Sequence, residues 1–216
     1  MKPYYQDDRV TLYHGDCLEV DEWMSADTLV FDPPYGISWK KGTNRKAKSY
    51  AHEGIANDAD TAVRDAVLTS WGERPSATFG SWRASFPPHR QVLVWRKPVD
   101  AGLVGSVTGW RNDTELVFLN GAWPKRNAQS SSVLETDGSM HAYLSGHPHS
   151  KPVPILQHLI SASPGVIADP TAGGGSTAVA AASLGRQVIA VELEERYCEL
   201  IAKRVSQQAF DLEGIA

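Results

Sequence analysis

Apolar positions in this chain fall into short unbroken runs, and most runs stop at a glycine, a proline or an acid. Seven runs predict strands, at residues 10–15, 28–32, 77–80, 91–95, 115–119, 166–169 and 187–192. Their continuous apolar character fits strands covered on both faces. Helical spacing recurs between them. It runs over residues 60–71 with Val63, Ala66, Val67 and Trp71 on one face, over 153–161 with Leu156, Leu159 and Ile160, and over 194–207 with Tyr197, Leu200, Ile201 and Val205. An alanine-rich helix is expected at 176–184. These stripes read as core. Strands alternating with helices predict an α/β fold, a seven-stranded mixed sheet with helices on both faces.

Two segments break the pattern. Residues 40–59 and 120–150 are polar, rich in Ser, Gly and charge, and long connections of this kind are either functional or disordered. The layout is that of one domain over residues 1–216, with a catalytic half at 1–119, a small insert for target recognition at 120–150 and a cofactor-binding half at 151–216. At 216 residues, 42% apolar and 21% charged, the chain can bury a sizeable core. No apolar run approaches the length of a membrane span, and Met1-Lys2-Pro3-Tyr4-Tyr5 lacks the apolar core of a signal peptide. Two cysteines imply a reducing, cytoplasmic setting, and neither they nor His141, His147 and His149 have metal-ligand spacing, so no metal is expected.

The candidate chemistry sits at two strand ends. Asp32-Pro33-Pro34-Tyr35 follows the apolar run Thr28-Leu29-Val30-Phe31, and in open α/β sheets ligands bind at the carboxyl ends of strands. Consecutive prolines remove backbone donors and leave carbonyl acceptors. With Asp32, such a site suits an amine: the carboxylate and the Pro33 carbonyl each take one hydrogen, while the Tyr35 ring covers the base that carries it. An ordinary turn after a strand is the competing reading. Near the other end, Val166-Ile167-Ala168-Asp169-Pro170-Thr171-Ala172-Gly173-Gly174-Gly175-Ser176-Thr177 opens into a helix, and Gln187-Val188-Ile189-Ala190-Val191-Glu192 ends in an acid. Strand, glycine turn, helix, strand and acid in that order make a nucleoside-binding unit, with Glu192 accepting from ribose hydroxyls. The same unit would serve NAD in an oxidoreductase.

Together, the tetrapeptide and the glycine loop resemble those of the DNA amino-methyltransferases, and their order resembles the β class. Gly15-Asp16-Cys17-Leu18, Phe79-Gly80-Ser81-Trp82, Leu93-Val94-Trp95-Arg96-Lys97 and His147-Pro148-His149-Ser150-Lys151-Pro152 extend the likeness to the short methylases of bacteriophages. The resemblance implies a Rossmann-like fold that binds S-adenosylmethionine and methylates N6 of adenine in double-stranded DNA after flipping the base, with N4 of cytosine as the alternative and a non-catalytic DNA-binding module as a further one. It implies a bacterial or phage-infected cell and allows for a homodimer.

It also implies Asp32, Pro33, Pro34 and Tyr35 as catalytic. Asp16 falls to the cofactor adenine, Asp169 to the methionine amine and Lys151 to its carboxylate, with Cys17, Pro170, Gly173, Gly175, Ser176 and Thr177 also implied as cofactor-binding. The family's usual Phe after Asp-Pro is Thr171 here, which implies a looser cofactor pocket. Although the net charge is −4, Lys40, Lys41, Arg45, Lys46 and Lys48 crowd the segment after the tetrapeptide and could clamp phosphates. Trp123, Lys125, Arg126 and Asn127 are the expected contacts to base edges.

Overall fold

The computed structural model describes residues 1–38, 55–98, 109–125, 130–136 and 150–213. Its strands are β1 (Tyr5–Gln6), β2 (Val10–His14), β3 (Thr28–Phe31), β4 (Ser76–Gly80), β5 (Gln91–Arg96), β6 (Thr114–Asn120), β7 (Val133–Glu135), β8 (Ile167–Asp169) and β9 (Val188–Glu192). The helices are α1 (Ala62–Trp71), α2 (Val153–Ser161), α3 (Ser176–Ser183) and α4 (Glu195–Glu213), with a 3-10 turn at Glu22–Ser25. None is long and apolar enough to cross a membrane among the described residues.

All nine strands join one sheet in the order β1-β2-β9-β8-β3-β4-β6-β5-β7. The seven-stranded expectation is therefore corrected to nine. The seven expected strands are consecutive in the interior, and the additions are the two edges. β1 has two residues and β7 three, too short for any periodicity to register. β7 also lies inside the 120–150 segment, so part of that stretch is sheet.

Strands β2, β9, β8, β3 and β4 run parallel, β6 is antiparallel to both its neighbours, and β7 is parallel to β5. Alternate residues of one strand enter opposite layers. Leu29 and Phe31 pack with Val67 and Trp71 of α1 and with Trp23, while Val30 packs in the layer that holds α2, α3 and α4. Trp23 and Trp71 stack with ring centroids 5.9 Å apart, and their indole N–H groups donate to the carbonyls of Cys17 and Pro75.

Helix α3 is alanine-rich because it is enclosed by α2 and α4, and larger residues would not fit. Gly175 begins it at φ 75°, where a Cβ would stand 2.6 Å from Ile201 of α4. That glycine serves close packing between loop and helix.

Candidate active site

Parallel strands bring their carboxyl ends to one edge of the sheet. Asp32 follows β3, Asp169 ends β8, Glu192 ends β9, Gly15 and Asp16 follow β2, and Ser81 follows β4. Because β6 runs the other way, its beginning lies at this same edge, with Glu115 opposite Trp95 and Leu116 opposite Gly80. A cavity of about 390 Å³ opens there. That volume lies within the range of small-molecule sites, about 300–1,000 Å³.

Two side chains hold the Asp32 carboxylate. The Tyr35 hydroxyl donates to Oδ1 at 2.8 Å, and the Lys151 ammonium donates to Oδ2 at 2.6 Å. Lys151 is 9% exposed and Asp32 28%. Beyond Lys151 the charges continue: Glu115 Oε2 lies 3.8 Å from its Nζ, and Glu115 Oε1 lies 3.2 Å from Lys97 Nζ. Burial alone would lower the Lys151 pKa, but the Asp32 and Glu115 carboxylates reverse this and raise it. Burial, reinforced by the Asp32 and Glu115 charges, pushes the Tyr35 hydroxyl well above its ordinary value. Asp58 fixes the turn after the tetrapeptide, its Oδ1 accepting the Gly36 N–H at 2.8 Å.

The other half of the cavity is built from backbone and acids. Glu192 is 7% exposed, and its two oxygens accept the N–H groups of Gly173 at 2.7 Å and Glu194 at 2.8 Å. Burial raises its pKa against those hydrogen bonds. Asp16 Oδ1 accepts the Leu18 N–H, capping its own turn. Cys17 is buried; desolvation, with Asp16 adding, pushes its thiol up to about 12, so it lines the cavity as an inert group. Pro170, Thr171 and Gly173 also line this half.

Asp169, Gly175, Ser176 and Thr177 do not line the cavity. Asp169 sits behind its wall, where burial raises its pKa to about 7, opposed by hydrogen bonds from Thr177 and the Thr171 N–H. The Thr171 hydroxyl donates to the Asp32 carbonyl at 3.2 Å, joining the glycine loop to the end of β3.

Trp123 is not at this edge. β6 carries the chain away from the cavity, since Asn120 pairs with Ser76 at the start of β4. The Trp123 indole packs against the core and donates to the Asn120 carbonyl, away from the cavity wall. Lys125 leaves from the same far edge and is not part of the cavity wall. Lys40, Lys41, Arg45, Lys46, Lys48, Arg126, Asn127 and the three loop histidines lie outside the described residues.

Residues to which the sequence assigned no site role also occupy the wall: Asp58, Trp82, Arg83, Lys97, Asn112 and Glu115. The one available signal was Glu115, a charge inside an otherwise apolar strand. Among the described residues no cluster of three His, Cys, Asp or Glu side chains is placed to hold a metal ion.

A mixed sheet of this order, with an acid at each of several parallel strand ends around one cavity, defines an α/β protein of the methyltransferase fold. The solved structure of the M1.HpyAVI–SAM complex matches it with a TM-score of 0.65 at 17% identity, covering 91% of this chain and 98% of the other. The PvuII DNA methyltransferase, described as cytosine-N4-specific, matches with a TM-score of 0.61 at 17% identity, covering 94% and 88%. In sequence, the type II methyltransferase M2.DpnII of Streptococcus pneumoniae is 37% identical, covering 96% of this chain and 93% of the relative. The DNA methylase model for N6 and N4 methyltransferases matches residues 89–204, more than half of the chain. The chain belongs to this DNA methylase family.

Proposed function

We propose that the protein transfers a methyl group from S-adenosylmethionine to the exocyclic N6 amine of adenine in double-stranded DNA. The observation that carries this reading is the Asp32 to Tyr35 tetrapeptide facing an acid-lined pocket across one continuous cavity. The residues present suit the cofactor. Asp16, Glu192 and Glu194 line its half and among the described residues no Lys or Arg does, which favours a ligand that carries a sulfonium and an amine, and the carboxylates have lone pairs left for ribose hydroxyls. When bound, S-adenosylmethionine supplies an electrophilic methyl on a good leaving group.

On the substrate side, Asp32 and the Pro33 carbonyl each hold one hydrogen of the amine. Its lone pair, otherwise delocalised into the ring, is thereby directed at the methyl. The carboxylate also meets the positive charge that develops on nitrogen. Lys151 and Tyr35 position that carboxylate. A base inside a duplex cannot reach the cavity, so the nucleotide must be extruded, at a cost of a few kcal/mol.

N4 of cytosine is the second reading, favoured by the fold likeness to a cytosine-N4-specific enzyme. Asp32 meets either amine in the same way. Incubation of duplex DNA with the protein and isotopically labelled cofactor, followed by mass spectrometry of the nucleosides, decides between them. Label in N6-methyladenosine is expected. Label in N4-methylcytosine establishes the second reading, and no label in any base removes both.

A further inference from the structure

The basic groups of the cavity are unevenly placed. Among the described residues Arg83, Lys97 and Lys151 are the lysines and arginines that line it, and all three stand in the half that holds Asp32. Lys97 is paired with Glu115 and Lys151 with Asp32. The Arg83 guanidinium has no carboxylate partner among the described residues and lies 5.4 Å over the Trp82 ring. Trp82 lines the cavity yet is 59% exposed, a large apolar surface left to water at the mouth of a site.

This exposure is not that of a loose loop. The Trp82 indole N–H donates to Asn112 Oδ1 at 3.1 Å, and Ser81 Oγ accepts the Arg83 N–H at 3.2 Å. On the far side of the turn, the buried Arg64 of α1 donates to the Ser85 carbonyl at 2.6 Å and to its hydroxyl at 3.2 Å. An indole tied to Asn112 on an anchored turn loses little entropy when a ligand covers it. Tyr35 offers less free surface, being partly buried against the core, whereas most of the indole is open.

We infer that Trp82 and Arg83 form the nucleotide-binding ledge of the active site, the indole stacking on the extruded base and the guanidinium meeting a neighbouring phosphate of the same strand. An aromatic face beside a cation is the pairing that single-stranded nucleic acid requires, and stacking on it tolerates any base. The inference rests on the proposed action on a DNA base and adds the residues that receive it.

Trp82→Ala, Trp82→Phe and Arg83→Ala test it, with methyl transfer to duplex DNA, calorimetry of S-adenosylmethionine binding, and fluorescence anisotropy of a labelled single-stranded oligonucleotide as readouts. Trp82→Ala is expected to raise KM for DNA and weaken oligonucleotide binding by about tenfold or more, with cofactor affinity unchanged and Trp82→Phe recovering part. Arg83→Ala is expected to weaken binding on all sequences and to flatten its dependence on salt by about one phosphate contact. Unchanged DNA binding in Trp82→Ala, or a loss of cofactor affinity in its place, overturns the ledge. If the wild type transfers no methyl group, the functional reading fails by itself, and the anisotropy series still decides whether Trp82 and Arg83 bind nucleic acid.

Discussion

Asp32 and Glu192 occupy equivalent places, each at the carboxyl end of a parallel strand, with only β8 between their strands. Their carboxylates are held differently. Backbone N–H groups of Gly173 and Glu194 hold Glu192, whereas the side chains of Tyr35 and Lys151 hold Asp32. A main-chain mount can change only if the loop moves, which suits an acid that presents a fixed acceptor. A side-chain mount can exchange partners by rotation about single bonds. That suits an acid that, in the proposed mechanism, takes up an amine and releases it in every turnover, and Glu115 stands 3.8 Å from the Lys151 ammonium as a second carboxylate for it.

The contrast can be broken most forcefully at Asp32. Asp32→Ala is expected to lower the rate of methyl transfer by about hundredfold or more while leaving cofactor affinity within a few-fold. Asp32→Asn, which keeps an acceptor oxygen but loses the charge, is expected to fall between the two. Single-turnover rates alongside calorimetry check both, and activity above a tenth of wild type in Asp32→Ala removes the carboxylate from the mechanism.

Glu192→Ala reports on the other mount. Loss of a charged acceptor weakens cofactor binding by roughly ten- to hundredfold, with the identity of the methylated base unchanged. Unaltered affinity by calorimetry takes Glu192 out of the site.

Lys151 sharpens the comparison, since it was expected at the cofactor carboxylate and stands on Asp32. Lys151→Met is expected to reduce kcat by about tenfold, because a partly buried carboxylate loses its partner, with KM for the cofactor nearly constant and Lys151→Arg recovering part of the rate. An increase in that KM with kcat preserved assigns Lys151 to the cofactor instead.

The smallest effect concerns stability. Asp169 is raised to about 7 in the folded chain, so between about pH 4 and pH 7 the native state holds a proton that the unfolded state has released. Stability is therefore highest below the unfolded pKa and declines as pH rises through the folded one, by at most about 1.4 kcal/mol per pH unit. Urea titrations of the ligand-free protein from pH 5 to pH 8 should show this decline, and Asp169→Asn should lose it.

Much of the architecture was legible because apolar runs are dictated by burial on both faces. The seven interior strands and the four helices each left a run or a stripe in the sequence. The edges β1 and β7 left none, being shorter than a periodic signal. Within the site, the tetrapeptide and the Glu192 strand end could be read from local order. The Lys151 to Asp32 pair and the approach of Glu115 could not, since they join positions far apart in the chain that meet only through sheet register. The position of Trp123 was hidden for the same reason, since the direction of β6 is what sets it away from the cavity. Trp82 and Arg83 were visible as residues, yet nothing local tells an exposed indole at a cavity mouth from a packed one.

Thr171 replaces the family's usual phenylalanine, and its hydroxyl bridges the glycine loop to the Asp32 carbonyl. One ligand's loop and the other ligand's acceptor thus share a mechanical joint. In the proposed mechanism, this bond is a route by which cofactor binding at the 170–173 turn acts on the backbone of Asp32. By thermodynamic reciprocity, a base docked on Asp32 must then change cofactor affinity by the same factor as the cofactor changes affinity for the base.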